Sequence, residues 1–149
     1  MKIVFYILFI AFFFINLLSA NENSYYLTLK YNKVNVRYGP GRDYPVKYVY
    51  NKKNLPVKVI DKKENFRKII DFKKNSGWIH TSQLKKDKSF ILLKDQILFS
   101  KPTKHSKPLF KIAKGRLLIV KKCKLKWCKV KTENYTGWIK SEKMWGAFK

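Results

Sequence analysis

Residues that carry catalysis or bind metals are scarce in this sequence. Two cysteines, two histidines and nine acidic residues stand in a chain of 149. Two cysteines cannot build a disulfide-dense scaffold or, by themselves, a four-ligand zinc site. Neither His80 nor His105 has a cysteine, serine or aspartate in a recognisable relation to it, and no pair of carboxylates is spaced for acid–base work. That argues against a hydrolase and leaves both histidines as ordinary polar residues. Negative charge is the other shortage: Lys and Arg number 34 against nine acids, a formal charge of +25. The chain is nonetheless not disordered, because 46% of it is hydrophobic and 16% aromatic.

Only one hydrophobic run is long. Lys2 precedes an uncharged apolar stretch over residues 3–15, followed by Asn16-Leu17-Leu18-Ser19-Ala20. A basic start, an apolar stretch and small residues before the boundary form a signal-peptide pattern, so residues 1–20 are expected to be a helical export signal cleaved after Ala20. An uncleaved anchor is the alternative, although about 16 apolar residues fall short of the ~20 that span a bilayer. The mature chain is then exported, to the periplasm or beyond, and is not an integral membrane protein. It loses only Lys2 from its charge.

The rest reads as one small β module written twice. Gly77-Trp78-Ile79 recurs as Gly137-Trp138-Ile139, and Phe66-Arg67-Lys68-Ile69 as Trp127-Cys128-Lys129-Val130. Val57-Lys58-Val59-Ile60 is matched to Leu117-Leu118-Ile119-Val120, and Val34-Asn35-Val36 to Ile97-Leu98-Phe99. The segments are short, rich in Val, Ile, Tyr and Phe, and separated by Gly, Pro and Asn breakers. An all-β chain with about five strands per module is predicted, as two small barrels over residues 25–86 and 89–149 that pack on each other because ~60 residues bury little surface. Lys85-Lys86-Asp87-Lys88 is the junction.

Several of these segments together resemble the exported bacterial SH3-like proteins that carry two tandem domains. They are Tyr38-Gly39-Pro40-Gly41-Arg42-Asp43-Tyr44-Pro45-Val46, Glu64-Asn65-Phe66-Arg67-Lys68-Ile69, the two Gly-Trp-Ile strands, and Met144-Trp145-Gly146. Phe66 stands where the family usually has Trp. The resemblance implies compact SH3-like β-barrels with no established activity for stand-alone members. Related domains appended to cell-wall hydrolases bind wall peptides, which extends to this chain only by analogy.

Cys123 and Cys128 flank a tight connection, and in an oxidising compartment such a pair is most simply a disulfide across a hairpin. A redox pair or half a metal site are the alternatives; redox motifs more often have two intervening residues and a helix start. Strand alternation puts Phe66, Trp78, Trp127 and Trp138 opposite the face of Ile69, Ile79, Val130 and Ile139. These rings are expected to seal the space between domains, or else to form a ligand platform, with Trp127 and Trp138 the aromatic face of the second module. The best candidate groove lies in the first module, at Tyr38, Arg42, Tyr44 and Tyr48 with Trp78 and His80, because tyrosines give rigid amphipathic contact and Arg pairs with carboxylates. Asp61, Glu64 and Asp71 read as surface pairs with nearby lysines, each worth little.

Lysine pairs recur at the predicted turns, and their field would concentrate anionic polymers. The expected protein is a non-catalytic envelope component that binds anionic cell-wall (peptidoglycan) or outer-surface material. An interaction scaffold for an envelope protein is the alternative, and a wall peptidase or amidase the least supported. No cofactor, no metal and no nucleic-acid partner in vivo are expected; nucleic-acid motifs are absent.

Overall fold

The computed structural model describes residues 24–147. The expected signal, residues 1–20, lies outside them. The first module contains β1 (Tyr25–Leu29), β2 (Val34–Arg37), β3 (Val46–Tyr50), β4 (Pro56–Lys63), β5 (Phe66–Ile70), β6 (Ser76–His80) and β7 (Leu84–Lys85). The second contains β8 (Ser89–Leu92), β9 (Gln96–Phe99), β10 (Pro108–Ile112), β11 (Leu117–Lys124), β12 (Trp127–Thr132), β13 (Tyr135–Lys140) and β14 (Met144–Ala147). Among the described residues the only helix is a single 3₁₀ turn, Thr81–Gln83, and no helix is long and apolar enough to cross a membrane.

Each module is one seven-stranded antiparallel sheet, so two short strands per module join the five that the sequence suggests. The spatial orders are β3-β2-β6-β5-β4-β1-β7 and β10-β9-β13-β12-β11-β8-β14. Strand for strand these are the same topology, so the repeat in sequence is a repeat in structure.

The register corrects two of the four internal matches by one residue. Val59 pairs with Ile69 and Val120 with Val130, which makes Val57 equivalent to Leu118 rather than Leu117. Arg37 and Phe99 both pair with the tryptophan of the Gly-Trp-Ile strand, which makes Val36 equivalent to Leu98. Burial agrees, since Val57, Leu118, Val36 and Leu98 are all core residues. A slip of one residue exchanges the faces of a strand, so the distinction decides which side chains look outward. Both sheets carry an irregularity at the same place, between Val59 and Asp61 and between Val120 and Lys122, which interrupts the alternation.

The repeated glycine has a packing cause. A Cβ on Gly77 would stand 2.4 Å from Val36 Cγ1, and one on Gly137 would stand 2.7 Å from Leu98 Cγ. The glycine lets the central strand lie close over its neighbour while the following tryptophan faces outward.

The modules meet through β1 and β4 on one side and β8 and β14 on the other. Ile91, a residue of β8, is buried within the core cluster of the first module, with Leu117 packed against it. Tyr26 and Trp145 pack edge to face at 5.5 Å, and Ser89 Oγ donates to the Asn54 carbonyl at 2.6 Å. The expectation that Phe66, Trp78, Trp127 and Trp138 seal this space is thus not met: they lie on β5, β6, β12 and β13, whereas the main contacts between the modules are made by β1, β4, β8 and β14.

Asp71 is also not a surface residue. It is 2% exposed, and its carboxylate accepts from Tyr50 Oη, Lys73 N, Asn75 N and Asn75 Nδ2 at 2.8–3.0 Å, anchoring the turn between β5 and β6. Buried carboxylates persist where such donors surround them.

Cys123 and Cys128 are directly opposite in the β11–β12 hairpin and form a disulfide. Closing so short a loop is worth roughly 2 kcal/mol by the chain-entropy estimate. Reducing the bond should lower the urea midpoint accordingly, and an unchanged midpoint would show that it adds nothing to stability.

Candidate functional site

The loop after β2 is shaped around one aromatic ring. Tyr44 lies against the Gly39-Pro40-Gly41 turn so closely that a Cβ on Gly39 would fall 2.3 Å from its Cδ1. Arg37 holds the other side, donating from Nη1 to the Tyr44 carbonyl at 2.7 Å. Tyr38 and Tyr44 remain 63% and 48% exposed, and Arg42 is exposed on the same loop. The ammonium of Lys47 sits 5.6 Å over the Tyr38 ring and donates to the Ser76 carbonyl at 3.0 Å. Such a contact at a surface is worth about 0.5–1 kcal/mol. Trp78, half-buried, stands on the outer face opposite Arg37 on one side and Lys68 on the other.

The other two expected groove residues are placed elsewhere. Tyr48 pairs with the buried Val36 and packs on the core, its ring edge-on to Tyr50 at 5.2 Å and its hydroxyl 3.4 Å from that of Tyr50. Burial pushes the hydroxyl pKa of both tyrosines up. His80 caps the 3₁₀ turn: its Nδ1 accepts from Ser82 N at 3.2 Å and lies 2.8 Å from Ser82 Oγ. Its ring also covers Phe66 edge-on at 5.1 Å, which leaves Phe66 only 7% exposed although it is on the outer face. Tyr38, Arg42 and Tyr44 therefore share one loop and Trp78 adjoins it through Arg37, while Tyr48 and His80 hold the barrel together.

The second module presents its own outer face. Because Leu98, Cys128 and Ile139 are buried, their neighbours Phe99, Trp127, Trp138 and Lys140 face outward. Phe99 and Trp127 pack edge to face at 5.6 Å. The ammonium of Lys122 lies 5.7 Å over the Trp138 ring, and Lys129 pairs with Trp138 in register. Trp127 and Lys140 are direct cross-strand partners. The side chain of Lys104, from the loop after β9, lines the same hollow as Lys140 and, ahead of desolvation, lowers the Lys140 pKa. The nearby carboxylates bond to other groups, Asp95 to Lys111 at 2.9 Å and Lys114 N at 2.8 Å and Glu142 to Lys94 at 3.4 Å, while Glu142 also acts on Lys140 and partly offsets the effect of Lys104. The lysine bonded to Asp95 holds that carboxyl below its ordinary range.

Lys47, Lys122, Lys104 and Lys140 are the residues that sequence reasoning passed over. Their signal is positional, since each is brought beside an aromatic ring or another lysine by cross-strand or loop placement, and linear spacing does not display it. Among the described residues no group of three or more His, Cys, Asp or Glu side chains could hold a metal ion.

The bacterial SH3 domain model matches residues 30–86 and again 94–146. No curated protein matches the chain. Among solved structures, NlpC2 of Trichomonas vaginalis is similar at 11% identity and a TM-score of 0.38, with 85% of this chain aligned to 49% of that one. NlpC1 of the same organism gives 11%, 0.37, 85% and 47%. The chain spans about half the length of either.

Proposed function

Since the chain belongs to the bacterial SH3 domain family, with both modules matched, we propose that it is an exported, non-catalytic protein of the cell envelope that binds anionic cell-wall polymer. Domains of this family commonly bind cell-wall material or proteins. The observation that carries the reading is the exposed Tyr38–Tyr44 loop with Lys47 over one ring and Arg37 and Arg42 beside it. Aromatic faces there can stack on sugar or peptide groups while the cations meet carboxylates. A formal charge of +25 adds long-range attraction to any polyanion.

Two features support binding without turnover. Both cysteines are bonded to each other, so neither is a thiolate nucleophile. His80 is held by Ser82 as a turn cap rather than aimed at an exposed nucleophile. The disulfide supports an oxidising compartment.

Sedimentation with purified peptidoglycan tests the proposal. Retention should fall steeply from about 0.01 M to 1 M salt, as the screening length contracts from ~30 Å to ~3 Å. Tyr38→Ala should weaken binding about threefold to fivefold, the value of one aromatic face stacked on a ligand group. Equal retention of a neutral control protein, or release of muropeptides by the pure protein, would overturn the reading.

A further inference from the structure

The tip of the β11–β12 hairpin has an unusual occupant. Leu125 is 90% exposed, the most exposed large hydrophobic residue among those described, and its φ is +52°. Glycine or asparagine fits such a position with less strain, and turn chemistry alone gives no reason for a leucine. The hairpin is clamped just below this residue by the Cys123–Cys128 disulfide, a staple the first module lacks. At the equivalent turn of that module the left-handed residue is the polar Glu64. An apolar side chain is thus held out into solvent on a fixed support.

Its surroundings are cationic. Lys124 and Lys126 flank it, Lys121 and Lys122 precede it on β11, and no acidic residue stands between Asp95 and Glu133. Ser141 N donates to the Lys126 carbonyl at 2.9 Å and Trp127 pairs with Lys140, which lines one hollow with Lys104, so the tip adjoins the lysine pair of the outer face. These ammonium groups repel one another unless an anion lies among them. Trp127, half-buried against Phe99, stands next to the tip. Lysines can meet a phosphate as point charges, and an indole ring favours the headgroup level of a bilayer.

We propose that this hairpin docks on an anionic phospholipid surface, with Leu125 entering the acyl boundary and Lys104, Lys124, Lys126 and Lys140 contacting headgroup phosphates. Apolar burial plus attraction to anionic lipid is the general basis of peripheral membrane binding. The contact goes beyond polymer binding by the first module, and uses a different loop. It would hold the protein at the boundary between membrane and wall, with one module facing each.

Flotation of the full-length mature protein with vesicles tests this. Vesicles of phosphatidylcholine and phosphatidylglycerol should carry the protein, and vesicles of phosphatidylcholine alone should not. Each headgroup lysine is worth about fivefold, so Lys104→Ala with Lys140→Ala should weaken binding by roughly twentyfold or more. Leu125→Asn, which suits the left-handed backbone and removes only the apolar group, should weaken it about tenfold. Peptidoglycan sedimentation of Leu125→Asn should match the parent, which separates this contact from the one at Tyr38. Full vesicle binding by Leu125→Asn, or equal binding to neutral vesicles, would overturn the proposal. Loss of peptidoglycan binding with vesicle binding intact would overturn only the wall reading.

Discussion

Gly146→Ala should lower the stability of the folded chain by about 4 kcal/mol, the sum of a strained backbone and an overpacked contact. Gly146 has φ +135°, and a Cβ there would stand 2.3 Å from the Ser89 carbonyl oxygen, 2.8 Å from Phe90 Cα and 3.0 Å from Pro56 Cβ. The first two are backbone atoms, which cannot turn aside as a flexible side chain could. Pairing of β14 with β8 would have to loosen, and Trp145 would shift from Tyr26 across the junction. Thermal unfolding should move down by on the order of 10–20 °C. A melting point within a few degrees of the parent would mean that β14 does not close the second sheet as described.

Asp71→Ala should cost about 3 kcal/mol, because the four donors around the carboxylate would lose their acceptor in a buried place. Tyr50 Oη, Lys73 N, Asn75 N and Asn75 Nδ2 all point at it. Asp71→Asn keeps an acceptor oxygen and should lose markedly less. The order parent, Asn, Ala in urea midpoint is the expected result. Equal midpoints for all three would return Asp71 to the surface role that its lysine neighbours suggest.

The strands were legible because alternation of Val, Ile and Tyr with polar residues is a direct image of a half-buried sheet. Which ring lies opposite which core residue was legible too, since Ile69, Ile79, Val130 and Ile139 are all buried and the tryptophans follow by parity. Alternation stops being a guide at the irregularities after Val59 and Val120. The two misplaced matches fall on Leu117-Leu118-Ile119-Val120 and Ile97-Leu98-Phe99, unbroken apolar runs in which nothing in the sequence marks the register. Asp71 looked solvated because lysines follow it in sequence, whereas the donors that bury it come from β3 and from the turn's own backbone. Tyr44 and Tyr48 are the same residue type four positions apart, yet a strand turns Tyr48 inward while a glycine turn holds Tyr44 out.

Ile91 has a consequence for how the pair comes apart. Phe90-Ile91-Leu92 is apolar without a break, and within it Phe90 and Leu92 belong to the second core while Ile91 belongs to the first. One strand therefore serves two interiors through its two faces. Melting either module strips a wall from the other and exposes an isoleucine that was sealed, at a cost of about 1.5–3 kcal/mol. The two barrels are accordingly coupled in cooperativity, a single unfolding unit with two surfaces rather than beads on a string.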